Sequence, residues 1–243
     1  MDDTERFVRL VSESGNIVFF GGAGVSTESG IPDFRSVDGL YSQKYDYPPE
    51  QMLSHSFFMA HPDEFYRFYR DKLIVRGVKP NITHIKLAGL ERAGKLRAVV
   101  TQNIDGLHQA AGSKNVLELH GSTKRCYCMR CGRRYGEEAL SESEGVPRCE
   151  CGGIIRPDIV LYEEGLDTAL LTSAVRYIRD ADMLIVGGTS LAVYPAAGLI
   201  DYYRGHKLVL INRDATPLDG RADLVLRQPL GSVFAKIQSG GNE

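Results

Sequence analysis

Short, continuously apolar runs alternate along this chain with longer stretches of helical spacing. The runs lie at 17–20, 97–101, 116–119, 183–187 and 207–211, with a last one around 223–226, and are rich in Val, Ile and Leu. Each is too brief for a helix and apolar at successive positions, as expected of strands covered on both faces. Helical spacing occupies 4–14, where Phe7, Val8, Leu10 and Val11 share a face, and recurs at 83–93, 167–179 and about 195–204. Strand–helix alternation of this kind predicts an α/β fold, a Rossmann-like parallel sheet with helices on both faces.

Two segments interrupt the alternation. Residues 37–82 hold no convincing strand but many aromatics, among them Tyr41, Tyr45, Tyr47, Phe57, Phe58, Phe65, Tyr66, Phe68 and Tyr69. His61-Pro62-Asp63-Glu64 marks a helix start there, with proline in the first turn and acids at its positive end. Residues 122–157 gather cysteines, glycines and basic residues. Both read as insertions that together build a small lobe, leaving 1–36, 83–121 and 158–243 for the nucleotide-binding core.

Composition narrows the picture further. At 243 residues, with 43% hydrophobic and 25% charged residues, the chain suits one large α/β domain and a small satellite. Lys+Arg of 29 against Asp+Glu of 31 gives a net charge of −2, so no global field favours nucleic acid or an anionic membrane. No apolar run reaches the ~18–20 residues of a membrane helix, and the acidic start Met1-Asp2-Asp3-Thr4-Glu5 lacks the order of a signal peptide. A cytoplasmic monomer is expected.

All five cysteines fall in one short segment, which argues for a metal site over a disulfide framework. Cys128-x-x-Cys131 and Cys149-x-Cys151 are separated by seventeen residues, a zinc spacing. Four thiolates closing a tetrahedron exclude water, so this zinc, one per chain, should be structural. Cys126 is one cysteine more than a tetrahedron uses: it either replaces Cys128 or is a free thiol, and the regular C-x-x-C favours Cys128. Lys124, Arg125, Arg130, Arg133 and Arg134 make the ribbon basic, read as a solvated face before a nucleic-acid patch.

Candidate chemistry clusters after the strands, where the carboxyl ends of a parallel sheet border a ligand crevice. Gly22-Ala23-Gly24 follows the first run and suits close approach of backbone N–H groups to a pyrophosphate. The loop then carries Thr27 and Ile31-Pro32-Asp33-Phe34-Arg35, which looks like a cover folded over a ligand. Gln102, Asn103, Ile104 and Asp105 follow the second run, and an Asx turn is the competing reading. His120 ends the third with Gly121 behind it, placed as a general base. The other five histidines read as structural. Gly188-Thr189-Ser190 after 183–187 suits phosphate contacts, and Asn212 after 207–211 an adenosine ribose; a helix cap and a turn are the alternatives.

In this order the motifs resemble the sirtuins, the NAD-dependent protein deacylases, across nearly the whole chain. The resemblance implies a Rossmann-like lobe, a small lobe with a zinc ribbon, and a cleft between them. It implies that Gly22, Ala23, Gly24, Thr27, Phe34 and Arg35 hold the pyrophosphate and nicotinamide ribose of NAD. Ile104 and Asp105 would form the nicotinamide pocket, while Gln102 and Asn103 order the ribose and a water. His120 would deprotonate a ribose hydroxyl once the acyl oxygen has attacked, giving free lysine, nicotinamide and O-acyl-ADP-ribose. Gly188, Thr189, Ser190, Asn212 and Leu230 resemble the adenosine contacts. Val160 and Tyr162 resemble the strand that pairs with an acetyl-lysine peptide.

Three departures stand out. Gly21 replaces a usual Thr, and Tyr162-Glu163-Glu164 replaces the usual Phe-Gly-Glu after the substrate strand. Relatives that prefer acidic acyl groups carry Tyr-x-x-Arg in a small-lobe helix; Tyr66 here is followed by Tyr69 at the arginine position. Deacetylation is therefore expected, with acidic acyl groups poor. A dehydrogenase would need an acid ending a second strand about twenty residues after the glycines, which 37–80 does not supply. A non-enzymatic zinc-ribbon module leaves His120 and 102–105 unexplained, and mono-ADP-ribosyl transfer is the nearest alternative.

Overall fold

The computed structural model describes residues 2–33 and 47–238. Helix α1 (Asp3–Ser12) opens on a capping box in which the Glu5 N–H donates to Asp2 Oδ1 at 2.7 Å and the Asp2 N–H to Glu5 Oε2 at 3.0 Å. It leads into β1 (Ile17–Gly21), all five residues of which are buried. After β1 come two 3-10 turns, Ala23–Val25 and Thr27–Ser29. Helices α2 (Pro49–Met52), α3 (His55–Ala60) and α4 (Pro62–Phe68) follow, then a π-turn at Tyr69–Leu73 and α5 (Ile82–Arg92). Strand β2 (Leu96–Thr101), α6 (Leu107–Ala110) and β3 (Val116–Glu118) complete the first half of a large sheet.

The ribbon comprises β4 (Gly121–Cys128), β5 (Arg134–Gly136), α7 (Glu138–Ser141) and β6 (Ile155–Ile159). The chain then returns through α8 (Thr168–Asp180), β7 (Met183–Gly187), β8 (Leu208–Ile211), β9 (Leu224–Leu226) and α9 (Leu230–Phe234). The helical spacing at 195–204 forms a 3-10 helix, Ala196–Tyr202, where an α-helix was expected.

The large sheet has the order β3-β2-β1-β7-β8-β9, every pair parallel. This is the doubly wound order, with its topological switch between β1 and β7. Alternation within β1 explains the two-sided core: Ile17 and Phe19 join one cluster with Phe7, Leu87 and Phe234, while Val18 and Phe20 join another with Ile178 and Ile200. A third cluster, built from Phe58, Phe65, Tyr66, Tyr69, Leu140 and Ile155, forms the core of the small lobe. The aromatics of α3 and α4 therefore pack on the ribbon. In the small antiparallel sheet β5-β4-β6, β4 begins at Gly121 and β6 ends at Ile159, so it runs slightly past both ends of the segment 122–157.

His84 and His108 are fully buried and meet edge to face at 4.7 Å between ring centroids. His84 Nδ1 accepts the Asn81 N–H; its Nε2 and both ring nitrogens of His108 have no partner among the described residues. Burial lowers His84 to about 4 against an opposing effect of Asp105, and burial, then the neighbouring His84, lowers His108 to about 3. The unfolded chain binds protons near pH 6.5 and the native rings do not, so stability is complete above that value and falls as pH drops toward 4. The slope is up to about 1.4 kcal/mol per pH unit for each ring. Melting temperatures across pH 7 to 4 should fall steeply in the native chain and less in His108→Gln; equal slopes would refute this reading.

Candidate active site

The carboxyl ends of successive strands are stitched together by backbone. The Gln102 N–H donates to Gly21 O (3.0 Å), Gly22 to Gly187 O (3.2 Å), Gly24 to Gly188 O (2.8 Å), Gly188 to Ile211 O (3.1 Å) and Asn212 to Leu226 O (3.1 Å). These bonds hold the loops after β1, β2, β7 and β8 along one rim. A Cβ on Gly24 would lie 2.8 Å from Gly188 Cα, and one on Gly22 would lie 2.7 Å from Thr189 Cβ. The glycines are therefore needed first for loop-on-loop contact, and the N–H groups of Gly22 and Gly24 are engaged within the protein. Ala23 opens the 3-10 turn, where the first N–H groups have no acceptor inside the turn.

Below this rim opens a cavity of about 470 Å³ that reaches from the large sheet to the small lobe. Gly22, Ala23, Gly24 and Thr27 line it from the β1 side, Gly188, Thr189 and Ser190 from the β7 side, and Asn212, Arg213 and Leu230 from the far end. Gln102, Asn103, Ile104 and His120 stand at its centre, and Leu53, Leu73 and the stretch Ile159–Glu164 close it from the small lobe. Phe34 and Arg35 lie outside the described residues.

Each central polar side chain is held by a specific partner. Gln102 Nε2 donates to Thr189 Oγ1 across the cavity at 3.2 Å. Asn103 is 9% exposed; its Nδ2 donates to Ser26 Oγ at 3.1 Å, and Ser26 Oγ–H donates to Asp105 Oδ2 at 2.6 Å. The Leu107 N–H occupies Asp105 Oδ1 at 2.8 Å. Asp105 thus sits behind the wall, against a second hollow it shares with Gly106, Leu107 and Lys124, while its neighbours 102–104 face the large cavity. Ser26, 1% exposed, is a connecting residue that the glycine motif did not single out.

His120 Nδ1 lies 3.0 Å from the Gln102 carbonyl oxygen, which fixes the proton on Nδ1 and leaves Nε2 as the basic atom. Burial holds the imidazole below its ordinary range, and the Gln102 carbonyl opposes part of that shift. Gly121 behind it has φ +77°, and a Cβ there would lie 2.0 Å from Asp158 O, so only glycine lets β4 pair with β6 immediately after the histidine. The His120 carbonyl accepts the Val160 N–H at 3.0 Å, joining the predicted base to the predicted substrate strand.

Strand β6 ends at Ile159, so the expected substrate strand continues only as an extended stretch, Val160–Leu161, that reaches an isolated bridge between Tyr162 and Ser54. The Tyr162 N–H donates to Leu53 O (2.9 Å) and the Tyr162 carbonyl accepts the His55 N–H (3.0 Å). Glu164 takes Arg156 Nη1 at 2.7 Å and Nη2 at 3.0 Å, the Leu161 N–H at 2.9 Å and His55 Nδ1 at 2.8 Å. Burial works against ionisation of Glu164, but these partners outweigh it and hold the carboxyl at about 2. His55, read from sequence as structural, does not line the cavity but holds Tyr162 and Glu164, which do. Asn212 Nδ2 donates to Asp214 O at 2.9 Å, the local turn that was the alternative to a ribose contact, though the residue still lines the cavity.

The ribbon holds a preformed tetrad. Sγ atoms of Cys128, Cys131, Cys149 and Cys151 all lie within 4.8 Å of one another. The Arg130 N–H points at Cys128 Sγ (3.4 Å), and the Tyr135 hydroxyl donates to Cys149 Sγ (3.0 Å), lowering that thiol to about 6. A soft, closed donor set of this size fits one structural zinc. Cys126 is outside it: its thiol donates to Gly136 O at 2.7 Å, and burial raises it to about 11. Most of the ribbon's basic residues are engaged locally, Lys124 with Glu137, Arg125 with Glu118 and Asp158, Arg133 with Glu150 and Arg130 with Cys151 O.

A doubly wound sheet with an inserted four-cysteine lobe, and polar groups gathered where the two meet, defines a two-lobed nucleotide-binding protein. The chain matches the model of the Sir2 family over residues 22–195. It is 57% identical over 241 residues to a NAD-dependent protein deacetylase of Clostridium acetobutylicum, with 98% of each covered. It is 58% identical over 242 residues to one of Clostridium perfringens, covering 98% of this chain and 99% of the relative. A solved Sir2–peptide–NAD+ complex matches with a TM-score of 0.87 at 42% identity, over 98% of this chain and 97% of that one. Sir2 bound to acetylated peptide matches with a TM-score of 0.86 at 41% identity, over the same shares. The chain belongs to the Sir2 family.

Proposed function

We propose that this protein is an NAD-dependent protein-lysine deacetylase that transfers the acetyl group to ADP-ribose and releases nicotinamide. The observation that carries the reading is His120, whose Nε2 stands in the same cavity as the paired glycine loops and the Val160–Tyr162 segment. NAD, when bound, supplies the glycosidic bond whose loss of nicotinamide activates the ribose. Gly22, Ala23, Gly24, Thr27 and the Phe34–Arg35 loop hold its pyrophosphate end, and Gly188, Thr189, Ser190, Asn212 and Leu230 its adenosine end. Gln102, tied to Thr189, and Asn103, tied through Ser26 to Asp105, orient the ribose side. Ile104 contributes the apolar wall of the nicotinamide pocket, with Asp105 behind it. His120 Nε2 accepts a ribose hydroxyl proton, and Nδ1–H stays on the Gln102 carbonyl throughout. The lobes divide as 1–36, 83–121 and 158–243 against 37–82 and 122–157, except that the small-lobe sheet takes in Gly121 at one end and Asp158 and Ile159 at the other.

Acetyl and other apolar acyl groups are the preferred substrates. The Tyr66 hydroxyl donates to Ile155 O at 2.6 Å, Tyr69 is buried, and Arg70 binds Leu140 O, Ser143 Oγ and Gly145 O. A tyrosine stands at the arginine position of the acidic-acyl pattern, and the neighbouring Arg70 is engaged within the small lobe, so neither offers a cation to an acyl carboxylate. Acetyl- and succinyl-lysine forms of one peptide, each with NAD, should differ by about 100-fold in kcat/KM, corresponding to about 3 kcal/mol, the cost of leaving a charged group buried without a partner. Nicotinamide release measures this. Equal rates would remove the acyl assignment, and peptide-independent ADP-ribosylation of protein without deacetylation would replace the function with mono-ADP-ribosyl transfer.

A further inference from the structure

Glu163 occupies the left-handed region, with φ +76°. Side chains are strained there, and such strain persists where surrounding contacts over-determine the backbone. The family pattern quoted above has glycine at this place. Here a carboxylate supplies what glycine's freedom would otherwise allow. Glu163 Oε2 accepts the Ser56 N–H and Oε1 accepts the Ser56 Oγ–H, both at 2.9 Å. Ser56 lies in the first turn of α3, next to His55, whose own N–H binds the Tyr162 carbonyl.

We propose that Glu163 is a positioning residue, a latch that sets the register of the substrate strand against α3 before a peptide arrives. This rests on the reading of Val160–Tyr162 as the peptide-binding strand. Without the latch, residues 160–164 have more conformations, of which only one presents the strand edge for β-augmentation. The peptide must then select that conformation, and apparent affinity falls by the fraction of time it is populated. Chemistry at His120 is unaffected once the peptide is seated. The expected signature is a change in peptide KM with little change in kcat.

The test compares the full chain with Glu163→Gly, Glu163→Gln and Ser56→Ala, using an acetyl-lysine peptide and NAD. Glycine relieves the left-handed backbone and removes both acceptors. It should raise peptide KM about tenfold, equivalent to about 1.4 kcal/mol, with kcat and the KM for NAD within about twofold. Gln keeps an acceptor for the Ser56 N–H and should stay within about threefold of the native KM; Ser56→Ala, which keeps that N–H, should fall between. Amide exchange at Ser56 should accelerate in Glu163→Gly. An unchanged peptide KM, a fall in kcat of the same size, or unchanged Ser56 protection would each overturn the latch. If the native protein neither binds nor deacetylates the peptide, the functional reading fails instead, and exchange at Ser56 still decides the latch.

Discussion

His120→Ala is expected to lower peptide-dependent nicotinamide release by about 10³-fold, the middle of the range for loss of a general base. The reason lies in the tautomer: the Gln102 carbonyl holds the proton on Nδ1, so Nε2 is the lone pair available in the cavity. Alanine removes it, and nothing else among the described cavity residues offers an equivalent neutral base. Affinity for NAD should change far less, because the loops proposed to hold the two ends of the cofactor are tied to each other through Gly22–Gly187 and Gly24–Gly188 backbone bonds, not through the imidazole. The pH profile supplies an independent check. Burial keeps the imidazole below its ordinary range, so the base form persists into mildly acidic solution. Activity should be flat through neutral pH and decline only as pH falls through the lowered value, below about 6.5. An acid limb centred above that pH, or retention of activity in the alanine variant, would remove His120 from the role.

Removal of zinc should have the largest effect on stability. The ribbon's strands are short, and its third cluster is closed on one side by Cys126, Cys128 and Cys149 themselves. Structural zinc sites contribute about 10–16 kcal/mol in isolated zinc-finger peptides, and even about 5 kcal/mol would lower the melting temperature by roughly 10–20 °C in a chain of this length. Chelation at neutral pH should therefore unfold the small lobe and abolish peptide turnover, since β6 leads directly into Val160. Metal analysis should find one zinc per chain. Cys131→Ser should lose it and Cys126→Ser should keep it, because Cys126 points at the Gly136 carbonyl and away from the tetrad. A chelated protein with an unchanged melting curve would contradict a structural metal, and metal loss in Cys126→Ser would reassign the ligands.

Much of this was legible in the sequence where one constraint acted alone. Runs such as Met183–Gly187 are apolar at every position because both sheet faces are covered, so strands could be read without tertiary knowledge. The cysteine tetrad was legible because metal geometry fixes its spacing. Glycines were legible as special but only in part of what they do: beyond the proposed phosphate contact, the missing Cβ atoms of Gly22 and Gly24 make room for Gly188 and Thr189, which no local signal announces. Asp105 follows three residues that line the cavity, yet its carboxylate is turned to Ser26 and Leu107. No periodicity announces which way a loop side chain turns. Ser26 and His55 depend on partners distant in sequence, so neither carried a local signal. Glu163 did carry one, as an acid in a glycine position, but its meaning needed the hydrogen bonds to Ser56.

The order of strands also bears on how the chain is made. The central pair of the large sheet joins Ile17–Gly21 to Met183–Gly187. During synthesis β1 has only its β2 edge to pair with until residue 187 has left the ribosome. The small lobe, complete by Ile159, lies wholly inside that waiting period. A zinc-closed module thus has the opportunity to assemble within an unfinished nucleotide domain, so metal supply during translation bears on whether the sheet closes around an ordered guest or a loose one.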